Sequence, residues 1–276
     1  MKILLVYIIF FFSSVSAIGL NGIDIPINTI DLSLSSSGIG SNNNIFLNPA
    51  STNHYNGSSI GFSSNRWIQG INGNSMYFSS NSLLLSFTSI GIDDIEIRDE
   101  IASEDPIDIV SANFIDFKLS KSIKLKKNLH AGISTDMIFS QVFSDNTFDI
   151  TFSFGLKKYI SDRLKAGILI KNFGSMVDEI SSVHGIGVSY IFKTNTELIT
   201  DINYSSNNGI GFHMGMIQTI SKLTLRGAYS HYDNRTAVSS GLGVDITKKI
   251  NFTYSLLLIP GSGLGPAHYF GLNFIL

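Results

Sequence analysis

Cysteine is absent from the chain, which rules out a disulfide framework, a thiolate metal site and a cysteine nucleophile. Charge is scarce as well. Asp, Glu, Lys and Arg make up 14% of the 276 residues, against about 25% in a typical soluble domain. The net charge of −2 gives no electrostatic case for nucleic-acid binding. Also missing is any apolar run of the ~20 residues that a membrane-spanning helix requires. The run Ile3–Phe12 is half that length; it follows Lys2 and precedes Ser13-Ser14-Val15-Ser16-Ala17. That composition is a secretory signal, with cleavage expected after Ala17. An exported chain without a spanning helix can reside in a membrane only as β-strands.

Catalytic and metal motifs are equally sparse. His54, His130, His184, His213, His231 and His268 are scattered, with no H-x-H or H-x-x-x-H pair. There is no nucleophile elbow, P-loop or dinucleotide fingerprint. The glycines from Gly261 to Gly265 lie between two apolar segments with no helix to follow, so they read as a hairpin loop and not as a phosphate cradle. The expectation is a non-catalytic protein with no cofactor and no metal site. Eight acids between Asp93 and Asp108 offer oxygen to a hard cation, but without EF-hand spacing they read as a solvated loop.

What the chain has in quantity is Gly (25), Phe (20) and Tyr (10) in a period-two pattern. Phe148, Ile150, Phe152, Phe154 and Leu156 alternate with Asp149, Thr151, Ser153 and Gly155. Phe252, Tyr254, Leu256 and Leu258 alternate with Asn251, Thr253 and Ser255. The last segment sets Phe270, Leu272, Phe274 and Leu276 against Gly271, Asn273 and Ile275. Helical spacing is not sustained from residue 58 onward. The polar face is Ser, Thr, Gly and Asn, not the Lys and Glu of a soluble sheet. The segments run ~9–12 residues, the length of a tilted membrane strand. Trp67, Tyr77, Tyr190, Tyr204, Tyr229, Tyr232 and Tyr269 stand near segment ends, where a bilayer places aromatic girdles.

Fourteen such segments are predicted, at about 58–65, 72–79, 82–91, 109–119, 128–140, 146–156, 164–173, 183–192, 196–205, 210–219, 222–231, 236–246, 250–258 and 267–276. Charges sort by the parity of the connections. One set carries SKSIKLKK, LKKYISDRLK, FKTN, SK and TKK, which with Lys118 hold thirteen of nineteen Lys and Arg; the other carries the Asp93–Asp108 acids. This is the pattern of a transmembrane antiparallel β-barrel, all-β, with short basic periplasmic turns and longer outer loops. Inward-facing Asp136, Asp149, Asp201, Arg226 and Asp245 are expected to pair within the lumen.

The chain thus divides into a signal peptide (1–17), an N-terminal periplasmic or plug segment (18–57) and the barrel (58–276). Residues 18–57 do not alternate, and Ile45-Phe46-Leu47-Asn48-Pro49-Ala50 within them is too apolar for a pure linker. A fourteen-strand barrel also needs filling, so the segment reads as a plug or hatch.

Four stretches carry a resemblance. GIGSNNNIFLNPAS (Gly38–Ser51), with Asn48, Pro49 and Ala50, is similar to the opening signature of PorV/PorQ outer-membrane proteins, relatives of the FadL-like barrels. SIGFSSNRWIQGINGNSMYF resembles the first hairpin of that family, with Trp67 and Gly70. GIDDIEIRDE resembles its first long outer loop, and LKAGILIKNFGS one of its strands. The resemblance implies an outer-membrane protein serving type IX-like secretion or surface attachment. Its partners would be outer-membrane lipid, secretion-machinery proteins and exported cargo, but no nucleic acid. The loop residues Asp93, Asp94, Glu96, Arg98, Asp99 and Glu100 are then the candidate partner contacts. The competing reading is a FadL-like transporter of hydrophobic small molecules, which calls for an apolar inner pocket and a kinked strand near the plug.

Overall fold

Fourteen antiparallel strands close on themselves, each paired with its sequence neighbours and the first with the last. The computed structural model describes residues 26, 28–54, 57–66, 70–97, 105–142, 145–175, 180–192, 195–233, 235–260 and 266–276. The strands are β1 (Ser58–Arg66), β2 (Asn72–Ser80), β3 (Leu83–Ile97), β4 (Asp108–Lys126), β5 (Leu129–Val142), β6 (Asp145–Tyr159) and β7 (Leu164–Phe173). They continue with β8 (Val183–Ile191), β9 (Thr196–Ser205), β10 (Gly209–Ile220), β11 (Leu223–Tyr232), β12 (Arg235–Asp245), β13 (Ile250–Leu258) and β14 (Ala267–Ile275). The signal segment and Trp67, Arg98, Asp99 and Glu100 lie outside the described residues.

Alternation decides which face each side chain takes. Along β6, Phe148, Ile150, Phe152, Phe154 and Leu156 are exposed on the outer wall, while Asp149, Thr151, Ser153 and Lys157 are buried inside. An outer wall of exposed Phe, Ile, Leu and Met is stable only against hydrocarbon, so this is a membrane barrel of the outer-membrane type. Among the described residues no helix is long and apolar enough to cross a membrane. The final strand closes the ladder, with Phe270 opposite Ser64 and Phe274 opposite Ile60, so no sheet edge is left in lipid. An even strand number puts the two ends of the barrel sequence at one rim, called here the chain-end rim; the rim opposite carries the longer connections and is called the loop rim.

Two strands exceed expectation. β3 runs on to Ile97, so Asp93, Asp94 and Glu96 belong to a strand and not to a free loop. The register slips between Ile92 and Ile95, where Asp94 takes φ 56°, and this bulge shifts the phase of the alternation. β4 runs on to Lys126, where a tight turn at the chain-end rim leads into β5, so most of SKSIKLKK is strand. Asn81 and Ser82 both have positive φ, the geometry of a two-residue hairpin turn matched to strand twist, and they join β2 to β3.

The girdle reading needs correction at three tyrosines. Tyr190, Tyr204 and Tyr229 are exposed on the outer wall, but Tyr77 and Tyr269 are buried inside and Tyr232 faces the interior against the His213 ring. The parity of their neighbours shows why: Tyr269 shares a face with Gly271, and Tyr77 with Ser75 and Ser79.

Candidate functional site

The interior is occupied by residues 28–54, which follow the inner wall from β14 round to β3. The segment opens with a short helix, α1 (Thr29–Ser33), capped by Asn28, whose Oδ1 accepts from the backbone of Ile30 (2.8 Å) and Asp31 (3.1 Å). Thr29 Oγ1 lies 2.6 Å from Thr253 Oγ1, and Ser35 donates to Ser239 (2.8 Å). Leu32 packs with Ala237, Leu257, Ala267 and Tyr269, and Leu34 with Ile199 and Ile217. The inward Tyr269 hydroxyl donates to the Pro26 carbonyl (3.0 Å).

The middle of the segment is held by acids of β9. Asp201 Oδ2 accepts from the backbone N–H of Gly38 (2.5 Å) and Ile39 (3.1 Å). Glu197 accepts from the Ser41 hydroxyl (2.9 Å) and from the Asn43 amide, with Lys165 Nζ 3.8 Å away. Lys157 Nζ donates to Asn42 Oδ1 (2.6 Å), as does the Tyr159 hydroxyl (3.0 Å). His213 Nδ1 meets the Ser35 carbonyl at 2.9 Å; a carbonyl only accepts, so Nδ1 carries the proton, and Nε2 is left to accept from the Asn203 amide (3.0 Å).

The Asn48-Pro49-Ala50 stretch ends this grip. Asn48 Oδ1 accepts from the Ala50 N–H (2.9 Å), a turn that starts the 3₁₀ helix Pro49–His54, and its amide donates to the Ile39 carbonyl (2.8 Å). All three residues are buried. The wall makes room for them by lacking side chains. A Cβ on Gly132 would lie 2.2 Å from the Pro49 carbonyl carbon, and one on Gly155 1.9 Å from Asn48 Oδ1. On Gly167 it would lie 2.1 Å from the Ile39 oxygen, and on Gly241 2.4 Å from Ser33 Cβ. These inward glycines form a trough across the strands for the segment to lie in. Gly70, by contrast, is exposed with φ +79°, and its role is the loop between β1 and β2.

On the loop side of the segment lies a cavity of about 120 Å³. Ile39, Phe46, Leu169 and Leu257 give it an apolar side; Asn203, His213, Lys171 and Arg235 give it a polar one. Phe46 is fixed edge-on to Tyr77, ring centroids 5.0 Å apart, in a cluster with Ile45 and Leu84. Beyond it, Lys118 and Asp136 form a 2.9 Å ion pair inside the wall, and Asp149 accepts from Ser175. A buried pair of this kind holds only because each charge keeps its partner.

Of the expected inward charges, Asp136, Asp149 and Asp201 are buried with partners, whereas Asp245 is exposed and accepts from Asn251 (2.7 Å). Sequence reasoning missed Lys118, Lys157 and Lys165. In the sequence they group with the basic turn residues, yet each is buried inside the wall. The face each shares with Ser120, Ser153 or Gly167 was the available signal. Asp93, Asp94 and Glu96 are exposed along β3 and remote from the inner segment. Among the described residues no three His, Asp or Glu gather closely enough for a metal ion.

No family model matches the chain, and no curated protein matches it. Solved structures do match in fold. The CymD monoaromatic hydrocarbon channel aligns with a TM-score of 0.62 at 11% identity, over 91% of this chain and 98% of that one. The Pseudomonas putida toluene transporter TodX aligns with a TM-score of 0.61 at 11% identity, over 95% and 98%. A Pseudomonas aeruginosa FadL homologue aligns with a TM-score of 0.57 at 9% identity, over 90% and 96%. At such identities the likeness is one of fold alone, that of a closed antiparallel β-barrel.

Proposed function

We propose that the chain is a non-catalytic outer-membrane channel that admits small hydrophobic molecules, with residues 28–54 as its hatch. The observation that carries this reading is the half-apolar chamber lying directly on a segment that lies in the lumen and is hydrogen-bonded to β6, β9, β10, β12 and β13. A solute entering from the loop rim meets Leu169 and Leu257 of the wall, with Ile39 and Phe46 of the segment as the floor. Hydrogen bonds and small apolar contacts hold that segment, with no disulfide tying it to the wall, so it can shift without unfolding the barrel. The likeness in fold to channels named for monoaromatic hydrocarbons and toluene supports the same reading. Export across the inner membrane and cleavage near Ala17 belong to the proposal, as does an outward-facing loop rim.

The secretion reading has less behind it. Packing alone accounts for the Asn48-Pro49-Ala50 signature, and the acids at 93–96 stand in a strand. The test is saturable binding of a tritiated monoaromatic hydrocarbon to purified protein. Binding near one molecule per chain is expected, weakened by Leu169→Asn and unaffected by Phe87→Ala on the outer wall. Absence of saturable binding, together with recovery of secretion components by crosslinking in the native membrane, would favour secretion.

A further inference from the structure

The outer wall is not uniformly apolar. Across β13, β14, β1, β2 and β3, the register sets Phe252, Leu272, Phe62, Met76 and Phe87 side by side. Together with Phe270 they border a groove of about 470 Å³ on the lipid-facing surface. One row nearer the loop rim stand Phe270, Ser64, Asn74 and Ser89, and the row after that holds His268, Arg66 and Asn72. Apolar, hydroxyl and amide, then cation: the wall grades along one seam in the order of an acyl lipid and its headgroup.

The cation is specific to this seam. Among the described residues, Arg66 is the only Lys or Arg at the loop rim that lies on the outer face. Lys171 and Arg235 line the inner chamber, and Lys121 and Lys158 face outward only toward the chain-end rim. His268 is cross-strand from Arg66, and its ring is oriented by the Tyr254 hydroxyl 2.8 Å from Nδ1. Tyr254 in turn rests on Phe270, ring centroids 5.1 Å apart, so the polar row is tied to the groove beneath it.

We propose that Arg66 and His268 bind the phosphate of a membrane lipid whose acyl chain lies in the groove between Phe62, Met76 and Leu272. A guanidinium fork matches phosphate oxygens, and the Ser64 hydroxyl and Asn74 amide supply donors just below it. A free anion would leave the groove unused, and a neutral acyl molecule would leave Arg66 unused. A phosphate-bearing lipid uses both. The site lies outside the barrel, so it does not depend on what crosses the lumen.

Native mass spectrometry of the full chain in detergent tests this, with phosphatidylglycerol, diacylglycerol or inorganic phosphate added. The expected result is a single phosphatidylglycerol adduct, roughly five-fold more abundant than that of diacylglycerol and not displaced by inorganic phosphate. Arg66→Gln lowers it about five-fold and Arg66→Lys less so, since a point charge replaces the fork. Phe62→Ser lowers it through the groove, and Arg163→Gln at the other rim leaves it unchanged. Heat-modified mobility on gels confirms that each variant is folded. Four outcomes overturn the proposal: equal adducts in wild type and Arg66→Gln; equal adducts with diacylglycerol; displacement by inorganic phosphate, which marks a free-anion site; or a dimer abolished by Phe62→Ser, which marks an interface between copies.

Discussion

The two faces of β6 meet opposite surroundings and obey opposite rules. Outside, Phe148, Ile150, Phe152, Phe154 and Leu156 touch lipid, and any apolar side chain of similar bulk satisfies that contact. Inside, Ser153, Gly155 and Lys157 each meet a particular partner: Ser153 accepts from the Asn172 N–H (3.3 Å), Gly155 admits Asn48 and Lys157 holds Asn42. The outer face is a composition, and the inner face is a set of positions. It follows that a conservative change should cost little outside and much inside, even between adjacent residues.

Adjacent residues on β7 test that most severely. Gly167→Val places a branched side chain where a Cβ already meets the Ile39 carbonyl at 2.1 Å, backbone against backbone. Destabilisation of about 3 kcal/mol or more is expected in urea titrations of the protein refolded into bilayers. Ile168→Val, one residue away on the lipid face, leaves no cavity and should cost less than about 0.5 kcal/mol. If the two variants cost the same, the inner segment does not occupy the glycine trough.

A charge on the outer wall comes next. Phe152→Lys faces hydrocarbon and should cost roughly 2–4 kcal/mol by the same titration. A smaller effect is expected from Asp201→Asn, which keeps the shape but removes the charge accepting from Gly38 and Ile39. The loss should be about 1–3 kcal/mol and local to the segment. Amide hydrogen exchange should quicken at Gly38 and Ile39 while that of the β9 and β10 ladder stays as it was. Lys158→Gln, exposed near the chain-end rim, should shift stability by less than about 0.5 kcal/mol.

The same contrast explains what the sequence discloses. Strand number, strand positions and wall faces are legible because a lipid-facing face must be apolar at every second residue, whatever its partners. β14 could be read as the closing strand for that reason. The reading stops where the period breaks: the bulge at Asp94 shifts the phase, so the alternation ends six residues before β3 does. The inner site is less legible because its bonds join residues far apart in sequence. Glu197 meets Ser41, and His213 meets Ser35; neither pairing leaves a local pattern. Parity still held information that composition hid. Lys118, Lys157 and Lys165 sit near the basic turns and look like them, yet each falls on the polar face of its strand.

The central claim is that the inner segment governs passage through the barrel. Ser35 and Ser239 face each other with their hydroxyls 2.8 Å apart in a chain that has no native cysteine. A Ser35→Cys/Ser239→Cys pair therefore staples the segment to β12 without competing thiols. The measurement is uptake of a radiolabelled monoaromatic hydrocarbon by cells that lack any such channel of their own and express this variant. Uptake above the empty-vector level when the pair is reduced, falling to that level when it is oxidised and recovering with reductant, is the expected result. Equal uptake in the two redox states, or none above the vector in either, would contradict it.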